Sequence, residues 1–423
     1  MLKLNPVSSL SGTVCVPGDK SISHRAVMLG ALANGKTTVS GFLNGADCLS
    51  TISCFEKLGI KTEISGTDVC VYGHGMHGLT APKETLYTGN SGTTTRLISG
   101  ILAAQNFTSV IDGDSSIRRR PMGHIKKPLE MMGAKIDGDF CPITIHGSPL
   151  NSIDYTLPVA SAQLKSAIIL AALYASSPTL IHEPTPSRDH TELMLSDMGA
   201  PIKNVGGEIW VHPCENLNAI HVDVPADISS AAFFMVGACI TKNSDILIKN
   251  VGINHTRSGI IDALCDMGAN ISLVNMRHFG SEPVADIRVR SSKLRGIKIG
   301  GKIIPRLIDE LPVLAVAAAF ASGETVIYGA EQLKVKESDR IKTVADELKK
   351  ANVCVTPTDD GMIINGSADD VCGASFSSYG DHRLAMSMAV LSLAAKGESE
   401  IDDPKTVDIS FPGFFETLKS ICN

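Results

Sequence analysis

Aromatic side chains are scarce in this chain of 423 residues: they make up 4%, with a single tryptophan, against 43% hydrophobic residues. Its core must therefore be built from aliphatic side chains and alanine, and that much apolar material excludes disorder as the main state. No C-x-x-C pair occurs among the eleven cysteines, which are scattered from Cys15 to Cys422. An odd, scattered set argues against a disulfide framework or a metal site and reads as free thiols in a reducing compartment. Long apolar runs are missing too. The longest, residues 311–321, contains Pro312 and is about half of the ~20 residues a membrane helix needs. The first residues hold no apolar stretch of signal-peptide length before Pro6 and Gly12. Excess positive charge is also absent: 38 Lys and Arg against 44 Asp and Glu leave a net −6. That balance excludes general binding to nucleic acid or an acidic membrane, so any anion must be held by a local cluster. A soluble cytoplasmic protein of two domains, or three small ones, is expected.

A weak internal repeat is present. Six copies begin near Ser21, Thr93, Ser161, Ser229, Asp309 and Asp381, 68–80 residues apart. Each has a polar turn, an apolar helix rich in small residues, a Gly/Asn/Ser turn and a β-branched run. A second, amphipathic motif follows each: CFEKLGIKTEI, PLEMMGAKI, LMLSDMGAPI, DALCDMGANI, ADELKKANVCV and FFETLKSICN. The first helices are apolar almost all round, the pattern of helices buried on every side. The prediction is a two-domain, inside-out α/β barrel of six helix-strand-helix-strand-strand units, three per domain, with buried helices and sheets outside, the reverse of a TIM barrel. Too few residues follow Asp381 for a full unit, while residues 1–19 hold two strand-like runs without a helix, LKLNPV and GTVCVPG. The N-terminus is expected to complete the last unit. This divides the chain into residues 20–224, with repeats 1–3, and residues 1–19 plus 225–423, with repeats 4–6.

The residues that depart from the repeat gather where the first helices begin. Ser, Thr and Asp there cap free N–H groups. Capping does not account for Lys20, Arg25, Arg96 or Arg383, because a cation at a helix N-terminus opposes the macrodipole unless an anion sits beside it. Helix N-termini with basic side chains make an anion site, with phosphate or carboxylate the usual occupant. The loop GNSGTTTR lacks the G-K-[ST] ending of a nucleotide-binding loop, so a nucleoside triphosphate is not supported. Arg118-Arg119-Arg120 is the densest basic run. Lys336 and Arg340 have the spacing of charges on an exposed helix face.

Taken together, PGDKSISHRA (17–26), GNSGTTTR (89–96), RRRPMGH (118–124), SAQLKSA (161–167), SRDHTE (187–192), LIDELPVLAVAAAFA (307–321), LKVKESDRI (333–341) and GDHRLAM (380–386) resemble, in order and along the whole chain, the EPSP synthase family. The resemblance implies two domains of three repeats with the substrates in the cleft between them. It also implies transfer of the enolpyruvyl group of phosphoenolpyruvate to the 5-hydroxyl of shikimate 3-phosphate, with release of phosphate. By motif it implies Lys20, Ser21, Arg25, Ser161, Gln163, Arg188, Asp309 and Lys336 as contacts to shikimate 3-phosphate. Lys20, Gly92, Arg120, Gln163, Arg340 and Arg383 would contact phosphoenolpyruvate. Asp309, Glu337, Lys20, Lys336 and His382 form the implied catalytic set, with Asp309 as base for the hydroxyl and Glu337 as acid for the vinyl carbon. No cofactor and no metal are implied, the partners are small molecules, and a cytoplasmic monomer that is a glyphosate target is expected.

Two alternatives stand beside this. The sister enzyme UDP-N-acetylglucosamine enolpyruvyl transferase typically has a reactive cysteine in the loop after its third strand run, and Lys-Asn near its N-terminus. Here residues 112–124 hold no cysteine, and the pair is Lys20-Ser21. A non-catalytic anion-binding scaffold is disfavoured by two carboxylates, Asp309 and Glu337, in a cationic setting.

Overall fold

A computed structural model describes residues 1–423. The chain forms two compact units: residues 18–224 with 278–282, here the N-terminal unit, and residues 1–17, 225–277 and 283–423, the C-terminal unit.

In the N-terminal unit the repeats produce helices α1 (Lys20–Leu32), α2 (Ala46–Lys57), α3 (Gly92–Ala103), α4 (Gly123–Met131), α5 (Ala162–Ala172) and α6 (His190–Asp197). In the C-terminal unit they produce α7 (Ile228–Ile240), α8 (Gly259–Asp266), the short α9 (Ile304–Leu307), α10 (Leu311–Ala319), α11 (Arg340–Lys350), α12 (His382–Ser392) and α13 (Phe414–Ser420). The first helix of each repeat is buried almost all round: every residue of α10 and all but one of α7 are buried. Small residues permit this crowding. A Cβ on Gly100 of α3 would stand 2.2 Å from the Ala167 carbonyl oxygen of α5, so only glycine lets the two helices approach that closely. Strands outside the helices alternate, as in residues 68–74, where valines point inward and polar residues outward. Helices inside and sheets outside is the arrangement that the repeat pattern predicts. No helix is long and apolar enough to cross a membrane.

Each unit contains three sheets, and five of the six share one plan, the last sheet of the C-terminal unit having only three strands. Residues 86–87, 108–112, 143–146 and 135–137 are one example: a parallel edge pair followed by two antiparallel pairings. The sixth sheet shows how the N-terminus is used. Leu2–Leu4 pairs antiparallel with Ser399–Ile401, completing the last repeat as expected. The second N-terminal run does not join it: Ser11–Val14 lies parallel to Asp245–Ile248, in the sheet of the fourth repeat. Only Ser11–Val14 is the parallel edge strand of its sheet; in the last sheet that place is taken by Ser375–Phe376, parallel to Ser399–Ile401.

Candidate functional site

The helix starts are capped in five of six repeats. Asp19, Ser91, Ser161, Asp227 and Asp381 each accept a backbone N–H from the first turn of α1, α3, α5, α7 and α12. The sixth differs: α10 begins at Leu311, its N-cap Glu310 makes no side-chain cap bond, and Pro312 in the first turn removes a donor that would otherwise need one. Asp309 is thereby left outside the helix, in the turn before it.

Within the N-terminal unit the singled-out residues form two groups. In the first, the guanidinium of Arg25 is buried and donates from Nε to Thr191 (2.6 Å), from Nη1 to the Ser21 carbonyl (2.9 Å) and from Nη2 to Ser166 (2.8 Å). Three of its five N–H groups are committed to the protein, and burial lowers its pKa to about 10, with Glu192 and Asp19 opposing that shift. Arg188 reaches the same corner, donating from Nη1 to the Ser21 hydroxyl at 3.5 Å. Lys20 opens α1 and is ion-paired with Asp47.

In the second group, Gln163 on α5 donates to Thr93 (3.0 Å) and accepts from Arg96 (2.5 Å), joining the starts of α5 and α3. Arg120 donates to Asn90 (3.0 Å) and Ser116 (3.1 Å), and its Nη1 lies 3.1 Å from where a Cβ of Gly92 would stand. Ser161 spends its hydroxyl oxygen on the α5 cap, accepting from Leu164 N at 3.3 Å. Of the basic run, Arg118 turns away to pair with Asp112 at 2.5 Å.

Of the six residues singled out in the C-terminal unit, Asp309, Lys336, Glu337 and Arg383 are brought together around the buried guanidinium of a fifth, Arg340. Arg340, 1% exposed, donates from Nη2 to Glu337 (2.7 Å) and to Asp381 (3.1 Å), and from Nε to Asp381 (2.7 Å). Its Nη1 lies 3.6 Å from Asp309, which also accepts from Lys336 at 3.2 Å and has Arg383 Nη2 at 4.0 Å. Arg383 donates as well to the Asp309 carbonyl (3.2 Å). His382 follows Asp381 at the start of α12 and is buried. Burial alone would lower the Arg340 pKa, but Asp381, Glu337 and Asp309 outweigh it and hold it above the ordinary arginine value. Burial pushes Asp381 up, and the opposing pull of Arg340 wins, holding it below the usual carboxylate range.

Lys336 and Arg340 therefore do not line an exposed helix face. Nor do the cations at the helix starts wait for a ligand alone: Asp47, Asp309 and Asp381 already stand beside Lys20, Arg383 and Arg340. Asp47 and Asp381 were not anticipated in that role. Asp381 is visible in sequence only as a cap, and Asp47 has no local signal. Chemically, one unit offers fixed donors for a polyanion, and the other a carboxylate, Asp309, held between an ammonium and two guanidinium groups with a second carboxylate, Glu337, nearby.

Residues 4–418 match the family model described as EPSP synthase (3-phosphoshikimate 1-carboxyvinyltransferase). The chain belongs to the EPSP synthase family. It is 53% identical over 412 residues to the 3-phosphoshikimate 1-carboxyvinyltransferase of Thermoanaerobacter sp. (strain X514), covering 97% of each chain. It is 52% identical to the protein of that name from Brevibacillus brevis, covering all of both. Among solved structures, the EPSP synthase from Acinetobacter baumannii superposes with a TM-score of 0.89 at 46% identity, over 99% of this chain and 97% of that one.

Proposed function

We infer that the chain carries out the reaction its family is named for. It transfers the enolpyruvyl group of phosphoenolpyruvate to the 5-hydroxyl of shikimate 3-phosphate and releases phosphate. Whole-length identity near one half to relatives of a single name carries this reading, and it favours that acceptor over the nucleotide sugar of the sister enzyme. Two carboxylates set among cations argue for catalysis over a passive scaffold.

The first group of the N-terminal unit, with Ser161 and Gln163 from the second, fits one ligand, and the second group fits the other. Ser21, Arg25, Ser161, Gln163 and Arg188, with Lys20, hold shikimate 3-phosphate. Gly92, Arg120 and Gln163, again with Lys20, hold phosphoenolpyruvate. Asp309 and Lys336 complete the first set, and Arg340 and Arg383 the second. The 5-hydroxyl gives its proton to Asp309 as its oxygen bonds to C2 of phosphoenolpyruvate, while Glu337 protonates C3. Return of the C3 proton to Glu337 then breaks the C2–O bond to phosphate, and the proton held on Asp309 leaves with the phosphate. Lys336, 3.2 Å from Asp309, favours the carboxylate form that a base requires. Buried Arg340 fixes Glu337 at 2.7 Å, His382 stands beside this set, and the cations offset repulsion between two polyanions. Proton transfer and charge stabilisation suffice for this chemistry, so neither cofactor nor metal enters it. Eleven scattered cysteines, an odd number with no C-x-x-C pair, accord with a cytoplasmic enzyme.

A phosphate-release assay on phosphoenolpyruvate with each acceptor tests the reading. Release with shikimate 3-phosphate and none with UDP-N-acetylglucosamine is expected. The opposite pattern would assign the sister activity, and no release with either would support a scaffold.

A further inference from the structure

Helix α5 carries one charge in an otherwise apolar and small-residue stretch. That charge, on Lys165, has no solvent exposure. A buried ammonium is costly unless carboxylates and hydrogen bonds satisfy it, and here they do. Lys165 Nζ lies 3.0 Å from Glu183 and 2.7 Å from Glu192, and it donates to the Ser187 carbonyl at 3.2 Å. Glu183 in turn accepts from the Ser187 hydroxyl (2.6 Å) and the Ser187 N–H (3.0 Å). Ser187 is thus gripped through its carbonyl, amide and hydroxyl by one buried ion pair. The residue that follows it is Arg188.

We propose that Lys165 is a positioning residue that sets affinity for shikimate 3-phosphate by locking, through Glu183, the Ser187–Arg188 segment, so that Arg188 meets the phosphate with its guanidinium already placed. This deepens the assignment of Arg188 above and rests on it. The segment between Glu183 and α6 has no regular secondary structure to hold it, so these side-chain bonds take over that work. The next residue of α5, Ser166, bonds both Arg25 and Thr191. One turn of α5 therefore orients two cations of the same group. A guanidinium displaced by even an ångström from its acceptor loses most of a charge-assisted bond.

The test measures steady-state kinetics and thermal melting of four variants. Lys165→Met combined with Glu192→Gln removes the ammonium and one of its two carboxylates, leaving Glu183 held only by the Ser187 amide and hydroxyl. Ser187→Ala removes only the hydroxyl bond to Glu183. Arg188→Ala removes the proposed effector, and it is also combined with the first pair. The KM for shikimate 3-phosphate is expected to rise roughly tenfold to a hundredfold in the Lys165 variant and less in Ser187→Ala, with kcat and the KM for phosphoenolpyruvate within about threefold of wild type. Added to Arg188→Ala, the Lys165 pair should change KM little further, because both act through one contact. A lowered melting temperature with unchanged KM, or additive effects, would overturn the proposal. If the Lys165 variant does not fold, Ser187→Ala decides alone, and a wild-type KM there overturns it. Wild-type phosphate release tests the broader reading separately. Should that fail, binding of shikimate 3-phosphate measured by calorimetry on the same variants still decides the role of Lys165.

Discussion

Arg340 and Asp381, forty-one positions apart, form a two-point ion pair: Nε to Oδ2 at 2.7 Å and Nη2 to Oδ1 at 3.1 Å, with neither side chain more than 1% exposed. The pair fastens the start of α11 to the start of α12, with Glu337 held against Arg340 at 2.7 Å and Arg383 4.0 Å from Asp309. Asp381 also caps α12 and accepts from Ser338 at 3.0 Å. Its carboxylate is thus bonded on every side, which is why it stays ionised in spite of burial.

Asp381→Asn should therefore destabilise the C-terminal unit by about 3–5 kcal/mol, because it leaves a buried guanidinium short of a carboxylate. The sign with pH follows from the depressed folded-state pKa. The stability due to Asp381 is fully present above its unfolded value of 3.8 and is lost as pH falls through the lower folded value. Melting temperatures measured from about pH 4 downward should fall more steeply for wild type than for the variant. Parallel curves would show that this carboxylate is not the one titrating.

Asp309→Asn keeps the size of the side chain and an acceptor for Lys336 but removes the base. Turnover should fall by about 10²–10⁴, while shikimate 3-phosphate binding stays within roughly tenfold. Calorimetry alongside kinetics separates the two effects. Near-normal turnover would remove Asp309 from the proton transfer.

A third prediction concerns His24, a fully buried imidazole whose Nδ1 bonds Thr51 at 2.7 Å. Thr51 bonds Thr94, and Thr94 bonds the α3 cap Ser91, each at 2.7 Å. This chain of hydroxyls ties α1, α2 and the glycine loop together. Burial lowers the His24 pKa to about 3 from 6.5, with Asp47 only partly opposing it, so the ring is neutral in the native protein. Between those values the unfolded chain binds a proton that the folded one does not. Stability should therefore decline as pH falls from 6.5 towards 3, by on the order of a few kcal/mol from this residue. His24→Gln should flatten that stretch of a denaturant-monitored pH profile. An unchanged slope would assign the decline to the carboxylates instead.

What the sequence made legible is what recurs or is local. The six helix starts follow from spacing, five of the caps from residue type, and the buried helices from Ala- and Gly-rich runs such as LPVLAVAAA. What it hid is long-range. Lys20 with Asp47 and Arg340 with Asp381 are 27 and 41 positions apart, and no local pattern records such a pairing. The strand 11–14 could border either of two sheets, and only register against 245–248 decides which. Lys165 did carry a signal, a single cation in a helix otherwise apolar all round, because such a charge must find carboxylates somewhere in the fold.

Gly92 supports the last prediction. It is the first residue of α3, and its missing side chain leaves a space bounded by two guanidinium tips: a Cβ would stand 3.1 Å from Arg120 Nη1 and 3.3 Å from Arg96 Nη1. Both neighbours are the far ends of flexible side chains, so Gly92→Ala should fold normally and displace those tips by a few tenths of an ångström. The resemblance to the EPSP synthase family implies that glyphosate occupies the phosphoenolpyruvate site and fills the space beside this glycine more fully than the substrate does. Wild type should therefore be inhibited competitively with phosphoenolpyruvate, more strongly once shikimate 3-phosphate is bound. In Gly92→Ala, the methyl group and the shifted Arg120 should weaken the inhibitor by more than they raise the KM for phosphoenolpyruvate. Leu97, buried one turn along α3, is the residue through which a shift of this helix would blunt the effect. Kinetics over a glyphosate series, run on both proteins with a thermal melt to confirm equal folding, settles the point. Equal sensitivity of the two would show that the space between Arg96 and Arg120 is not where the inhibitor is discriminated.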